Sequence, residues 1–529
     1  MNKKLLLGTT AFCGLAVMLL PAIAQNAGGL GQNTPSLSQS TGGLSQNTTG
    51  LSQNTRSSSR IAGGLSQNPG GLSQNTSGFS QNTLAPATAQ NPASALNNGS
   101  LSMTLGVDQR FVAGDNLALS TPSDGSSAFS ETRMSFDLSR ITSTDQLDFV
   151  FGGAFRVGNV PTNVPTDFVN PFVGIDYSRI GGNALFSFGV DFQETDVAFN
   201  RSLSSYTDQN GRLVLPPDFG NFGTSGTRQV YGFNTSFQTG INDPFGIIFD
   251  ADYIATSYQN STSSDFEDFG LGASAVFRPN QITDLFIDYD YRRFIDDGPG
   301  NLDSVTNSIS LRGVRSVSQT TDVTASYGIS DVETEDFGIT TSQSNPIASI
   351  GMTRQMANGT ADVLLDITNS RDGRRATLVY GRSLTLPVDT ISYSLGVTDG
   401  EGFGANVIGG LNWQRVLPTG RVFANINRDI TTNNRDEERL ATTVSLGYQH
   451  DFTTVSSVLL NVRYGESDFD NTTSDTTRSE VNATYRHTLT KDWNLDTGIS
   501  YRIRNEQFID SEDSTSLFLS LNRNFDWLR

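Results

Sequence analysis

The stretch "LFIDYDYRRFID", residues 285–296, decides how this chain folds. Leu285, Ile287, Tyr289 and Tyr291 recur at every second position, and Asp288, Asp290 and Arg292 occupy positions between them. Successive side chains of a β-strand point to opposite faces, so a strand here has one oily face and one ionised face. The fold follows from which solvent each face meets.

The same alternation runs outward from this segment in both directions. "SLSMTLGVDQRF" sets Leu101, Met103, Leu105 and Val107 against Ser102, Thr104, Gly106 and Asp108. "LDFVFGGAFRV" sets Leu147, Phe149, Phe151, Phe155 and Val157 against Asp148, Gly152, Ala154 and Arg156. "ALFSFGVDFQ", "IIFDADYIATS", "ADVLLDIT", "ISYSLGVT", "VLLNVRYG" and "SLFLSLNRNF" continue the series to the C-terminus. About 22 such segments fit into roughly 430 residues, the spacing that strands of ~10 residues with connections require. Short connections such as "TSTD" (142–145), "ANGT" (357–360) and "LPTG" (417–420) alternate with long polar ones at 113–127, 200–228, 259–268, 296–304, 331–343, 429–438, 466–477 and 505–514.

A soluble sandwich holds about seven to nine strands in roughly 100 residues, too few for this pattern. A propeller would show a motif repeated blade by blade, and none is visible. The fold class is therefore all-β: a transmembrane up-and-down antiparallel β-barrel of about 22 strands. Its apolar rows face lipid and its ionised rows face a water-filled lumen. The residues expected to line that lumen are Asp148, Arg156, Asp176, Asp191, Asp250, Asp252, Asp288, Asp290, Arg292, Arg312, Asp362, Asp366 and Arg463. Acidic rings of this kind favour cations; an acidic patch facing a basic one would instead set up a transverse field. Wall-stiffening ion pairs are the third reading of the same residues.

The chain opens with Lys3 and Lys4, an apolar run from Leu5 to Leu20, and Ala22-Ile23-Ala24. This is the form of a secretory signal peptide, residues 1–24, cleaved after Ala24. The single cysteine, Cys13, lies inside the apolar run, which leaves the mature chain without thiols or disulfides. Residues 25–98 are a low-complexity tract in which "GGLSQNT", "TGLSQNT", "GGLSQNP" and "SGFSQNT" recur in a seven-residue register. One apolar position per heptad is too few for a coiled coil. The tract reads as a flexible tether, with ordering on a periplasmic partner or inside the pore as the second reading. The barrel itself is expected over residues 99–529.

Formal charge is −19 for the whole chain. So acidic a surface repels phosphate backbones and argues against a nucleic-acid partner. No glycine-rich phosphate loop or metal-spaced His/Cys cluster appears, so neither cofactor nor metal is expected. His450 and His487 are the whole imidazole supply. Each closes a strand beside a short turn, and no acyl-transfer constellation can be built around them, so enzymatic activity is not expected.

Signal peptide, alternating strands and the last strand "SLFLSLNRNFDW" together resemble Gram-negative outer-membrane β-barrels. "LSMTLGVDQRFVAGDN" and "ETRMSFDLSRITSTDQLDFVF" are similar to the openings of β-barrel porins. The resemblance implies an outer-membrane location among lipids and lipopolysaccharide, and a C-terminal strand read by the barrel-assembly machinery. Phe525 and Trp527 are in phase with Leu517, Leu519 and Leu521, although Leu528-Arg529 follow the usual aromatic end. The functional expectation is a porin-like channel for passive diffusion of cations or small polar solutes. The alternative is a structural or export barrel of the envelope, for example for surface polysaccharide, without general pore activity.

Overall fold

The computed structural model describes residues 100–528 except 163, 200–201, 209–210, 221–225, 262, 403, 434, 469–475 and 507–508. The expected signal peptide and heptad tract lie outside the described residues. Strands β1 (Ser100–Asp115), β2 (Ser126–Ile141), β3 (Asp145–Asn159), β4 (Asp167–Ile180), β5 (Ala184–Asp196), β6 (Thr227–Thr239) and β7 (Phe245–Gln259) form the first third. There follow β8 (Phe266–Asn280), β9 (Thr283–Asp296), β10 (Leu302–Ser318), β11 (Thr321–Asp336), β12 (Ile339–Met356), β13 (Gly359–Ser370), β14 (Gly373–Thr385) and β15 (Asp389–Gly400). The wall is completed by β16 (Gly404–Leu417), β17 (Gly420–Thr432), β18 (Glu438–Thr453), β19 (Ser456–Asp468), β20 (Thr476–Thr488), β21 (Trp493–Glu506) and β22 (Ile509–Leu528).

Each strand pairs antiparallel with its neighbours in sequence, and β1 pairs with β22, which closes a 22-stranded ring. The seam sets Trp527 opposite Met103 and Phe525 opposite Leu105. Closure leaves no strand edge to be satisfied in hydrocarbon, where an unpaired backbone group costs several kcal/mol.

β9 answers the question raised by its sequence. Ile287 is 54% exposed on the outer surface, whereas Asp288 is 8% exposed on the inside. Ile287 is flanked by Ala275 on β8 and Leu311 on β10, so the apolar surface is continuous from strand to strand. The outer row ends upward at the exposed ion pair Arg293–Asp303, 2.6 Å, where hydrocarbon gives way to water. At the short-turn end of the barrel His450 packs edge-on to Phe452 (4.9 Å) and stacks near Tyr448, while His487 stacks on Tyr485. Both imidazoles thus belong to an outward-facing aromatic girdle of the kind that flanks the apolar band of membrane barrels.

Two of the expected long loops are corrected. Most of 331–343 and of 505–514 is strand, not connection. β11 and β12 continue to Asp336 and Ile339 and turn through Phe337 (φ 52°) and Gly338 (φ 73°). Two consecutive positive φ values are the signature of a type I′ hairpin turn. Strands here run from 12 residues (β13) to 20 (β22), longer than the ~9–11 needed to cross a bilayer. Beyond the membrane both faces meet water, so Asp331, Glu333 and Glu335 point outward where the apolar row of Val323, Ala325, Tyr327 and Ile329 on the same strand has ended.

Candidate functional site

The long connection between β5 and β6 does not project outward. Its central part carries a single 3-10 turn, Leu203–Tyr206, and a bridge between Thr207 and Leu213. Leu203, Leu213, Leu215 and Phe219 bury themselves against Ala441 of β18. β18 is nearly diametrically opposite β6 in the ring, so the segment crosses the lumen.

Polar anchors hold both ends of this crossing. Asp218, fully buried, accepts from Nε of Arg228 on β6 at 2.5 Å and from the Tyr258 hydroxyl on β7. On the far wall Arg439 donates to the Pro216 carbonyl (2.8 Å) and Arg478 to the Phe219 carbonyl (2.9 Å), its guanidinium 4.4 Å from the centre of the Phe219 ring. Glu480 accepts from the Ser202 hydroxyl (2.8 Å) and the Ser204 amide (3.2 Å). Glu480 is the fifth residue of β20, so the segment dips below the rim of the barrel. Burial raises the Tyr206 phenol above its ordinary range.

Neighbouring connections fold the same way. Ala118 of the β1–β2 connection, Val164 of β3–β4 and Ala198 of β5–β6 form one buried cluster. Arg435 in the β17–β18 connection and Arg371 in the β13–β14 turn both reach Asp336, at 3.4 and 3.1 Å. Burial pushes the nearby Asp436 carboxyl up to about 6, with the Arg292 guanidinium acting in the opposite direction.

Of the thirteen residues expected to line the lumen, several lie flat against the wall in ion pairs or across glycines. Arg312 forms a two-pronged pair with Asp288 (2.9 and 3.0 Å), and Arg292 does the same with Asp268. Arg156 is locked between Glu131 (3.0 Å) and Asp196 (2.5 Å), and Arg463 faces Glu480 at 3.4 Å. A side chain at Gly232, Gly270 or Gly381 would collide with the carboxylates of Asp191, Asp252 and Asp362, which lie across those positions. Asp148 and Asp176 are cross-strand partners on β3 and β4. Asp250, Asp290 and Asp366 line a cavity of about 500 Å³ together with Asp252, Asp288 and the two arginines of β9 and β10.

The ring of acid that a cation preference requires is not closed. Asp148, Asp176, Asp191, Asp250, Asp252, Asp288 and Asp290 occupy β3–β9, with Asp362 and Asp366 on β13. Arg439, Arg463, Arg478, Arg502 and Arg504 on β18–β21 meet Arg110, Arg133 and Arg156 on β1–β3 across the seam. The lumen therefore has an acidic arc and a basic arc. Sequence reasoning did not assign Arg110, Arg439, Arg478 or Arg502 to the site. Arg110 was accessible to it, being in phase with Asp108; the anchoring role of Arg439 and Arg478 was not, because their acceptors are carbonyls more than 200 positions away.

No group of three or more His, Cys, Asp or Glu side chains placed to hold a metal ion occurs among the described residues. His450 and His487 hydrogen-bond only weakly, at 3.3–3.5 Å, to the hydroxyls of Thr419, Tyr448 and Tyr485.

A closed ring with an apolar exterior and an ionised interior is a membrane-spanning barrel of the Gram-negative outer membrane. No protein-family model matches the sequence, and no curated protein matches it. Among solved structures, similar folds include the ferric-catecholate import receptor Fiu from E. coli K12, at 10% identity over 81% of this chain and 82% of that one, TM-score 0.49. The FrpB iron transporter from Neisseria meningitidis gives 10% identity, coverage of 81% and 82%, and TM-score 0.49. The copper transporter OprC gives 10%, 81% of each chain and 0.47. The strand pairing establishes the barrel by itself, and these likenesses add no argument to it.

Proposed function

We propose that the barrel is a diffusion channel for small polar solutes, with its narrowest passage where the β5–β6 segment crosses the lumen. The observation that carries this reading is that crossing: a polar interior spanned just below the outer rim by a chain segment pinned to both walls. A wall pair such as Arg312–Asp288 stiffens the barrel, while Asp250, Asp290 and Asp366 face the open cavity and act on passing ions. On this reading residues 1–24 direct export and are removed after Ala24. Residues 25–98 tether the periplasmic side, and the barrel-assembly machinery reads the C-terminal strand.

Planar-bilayer recording tests the proposal on the refolded full chain, with heat-modifiable gel mobility as the folding control. Discrete unitary steps are expected, and Asp290→Arg should move the reversal potential in a KCl gradient toward anions. A folded barrel that gives no steps would overturn the channel and favour the envelope scaffold or export barrel. Steps without a shift in Asp290→Arg would remove the acidic arc from the conduction path.

A further inference from the structure

The geometry points to a binding site for a small organic anion, bearing phosphate or carboxylate, in the basic arc of the lumen. It deepens the channel reading by naming a solute class. A cavity of about 420 Å³ lies between the β5–β6 segment and the walls of β19–β22 and β1–β5. That size suits a small-molecule site, which typically occupies 300–1,000 Å³.

Five arginines line this cavity, Arg110, Arg133, Arg156, Arg463 and Arg502, against the carboxylates Glu131 and Glu480. Three of the five are accounted for. Glu131 takes Arg133 (2.5 Å) and Arg156 (3.0 Å), Asp196 takes a second prong of Arg156, and Glu480 faces Arg463. Arg110 and Arg502 have no carboxylate within 4 Å among the described residues.

These two guanidiniums are held in place by other means. Arg110 lies over the Phe518 ring at 4.6 Å and makes no side-chain hydrogen bond among the described residues; its buried Nε has no acceptor. Arg502 is 8% exposed and gives one terminal nitrogen to the Leu117 carbonyl (2.9 Å) and Ser514 (3.0 Å), leaving its own Nε without an acceptor. The carboxylates that act on them, Glu131 and Asp108 for Arg110 and Glu480 for Arg502, do so without a close ion pair, and removing water raises the value of any anion that reaches these guanidiniums directly. Asn461, Asn482, Ser500 and Ser205 supply neutral hydrogen-bonding groups on the same surface, suited to a hydroxylated body attached to the anionic group. A planar guanidinium is the natural partner of phosphate and carboxylate, and two of them can share one dianion.

The experiment is calorimetric titration of the folded full-length protein in detergent at low ionic strength. The probes are glucose 6-phosphate, uncharged glucose as its matched control, and inorganic phosphate as competitor. Saturable binding of glucose 6-phosphate is expected with Kd of about 1 mM or tighter. Glucose should not bind, and inorganic phosphate should compete. Loss of one charge-assisted contact predicts that Arg110→Gln weakens binding about tenfold or more. Arg110→Gln leaves no broken hydrogen bond, so it decides the matter even where Arg502→Gln disturbs the β1–β2 connection. Asp331→Asn, on the outward face of β11, should bind as wild type does.

Absence of saturable binding by wild type, equal binding of glucose, or full affinity in Arg110→Gln would each overturn the inference. Binding does not require current to flow. Anion binding by a non-conducting barrel would therefore sink only the channel, and conductance without anion binding only this site.

Discussion

Replacing Ile287 with arginine should destabilise the folded barrel by about 2–4 kcal/mol, the usual cost of a basic residue on the lipid face near the bilayer midplane. Ile287 is more than half exposed and lies between Ala275 and Leu311 on the outer row. Arginine one position further on has a different effect. At Asp288 the wall faces inward, and the loss there is that of a partner. Asp288→Ala would strand Arg312, 5% exposed and stacked 3.8 Å from the Phe286 ring, at a cost of about 3–5 kcal/mol. Denaturant titration of the heat-modifiable form in lipid vesicles measures both. Ile287→Ser, which adds no charge, should cost much less than Ile287→Arg. Equal tolerance of arginine and serine at Ile287 would contradict a lipid-facing outer row.

Asp218→Ala should open the lumen and raise the unitary conductance without unfolding the wall. Asp218 is the point at which the crossing segment is fastened to β6 and β7, and its removal strands Arg228 and the Tyr258 hydroxyl in a buried site. Breaking one side of such a pair costs the anchored arrangement about 3–5 kcal/mol, a shift of roughly two to four orders of magnitude in its population. Adding Arg439→Ala removes one of the fastenings on the far wall, so the pair should exceed either single change. The strand ladders of the ring do not depend on either residue, so heat-modifiable mobility should be unchanged. Wild-type conductance in the double variant would mean that the crossing does not set the narrowest passage.

The reach of the sequence stops where two solvents become one. Across the membrane each strand meets lipid on one side and water on the other, and that contrast makes Leu285, Ile287 and Tyr289 readable against Asp288 and Asp290. Strand number and orientation follow directly. Above the membrane Asp331, Glu333 and Glu335 meet water as Thr334 meets the lumen, so polar strand cannot be told from polar loop. The inward course of residues 202–208 and 211–220 showed locally only as apolar residues such as Leu213, Leu215 and Phe219 in a connection read as polar, because its anchors to β18 and β20 include main-chain carbonyls far away in sequence. The basic arc was hidden for a different reason. Arg110, Arg133 and Arg156 lie near the start of the barrel and Arg463, Arg478 and Arg502 near its end; only the β1–β22 seam makes them neighbours.

The most direct test of the central claim is a nitroxide scan along β9 in reconstituted vesicles, one cysteine at a time from 285 to 291. Collisional relaxation by oxygen reports hydrocarbon, and relaxation by a water-soluble nickel chelate reports water. The account predicts oxygen-rich signals at 285, 287 and 289 and chelate access at 288 and 290. The opposite phase, or no alternation at all, would contradict it.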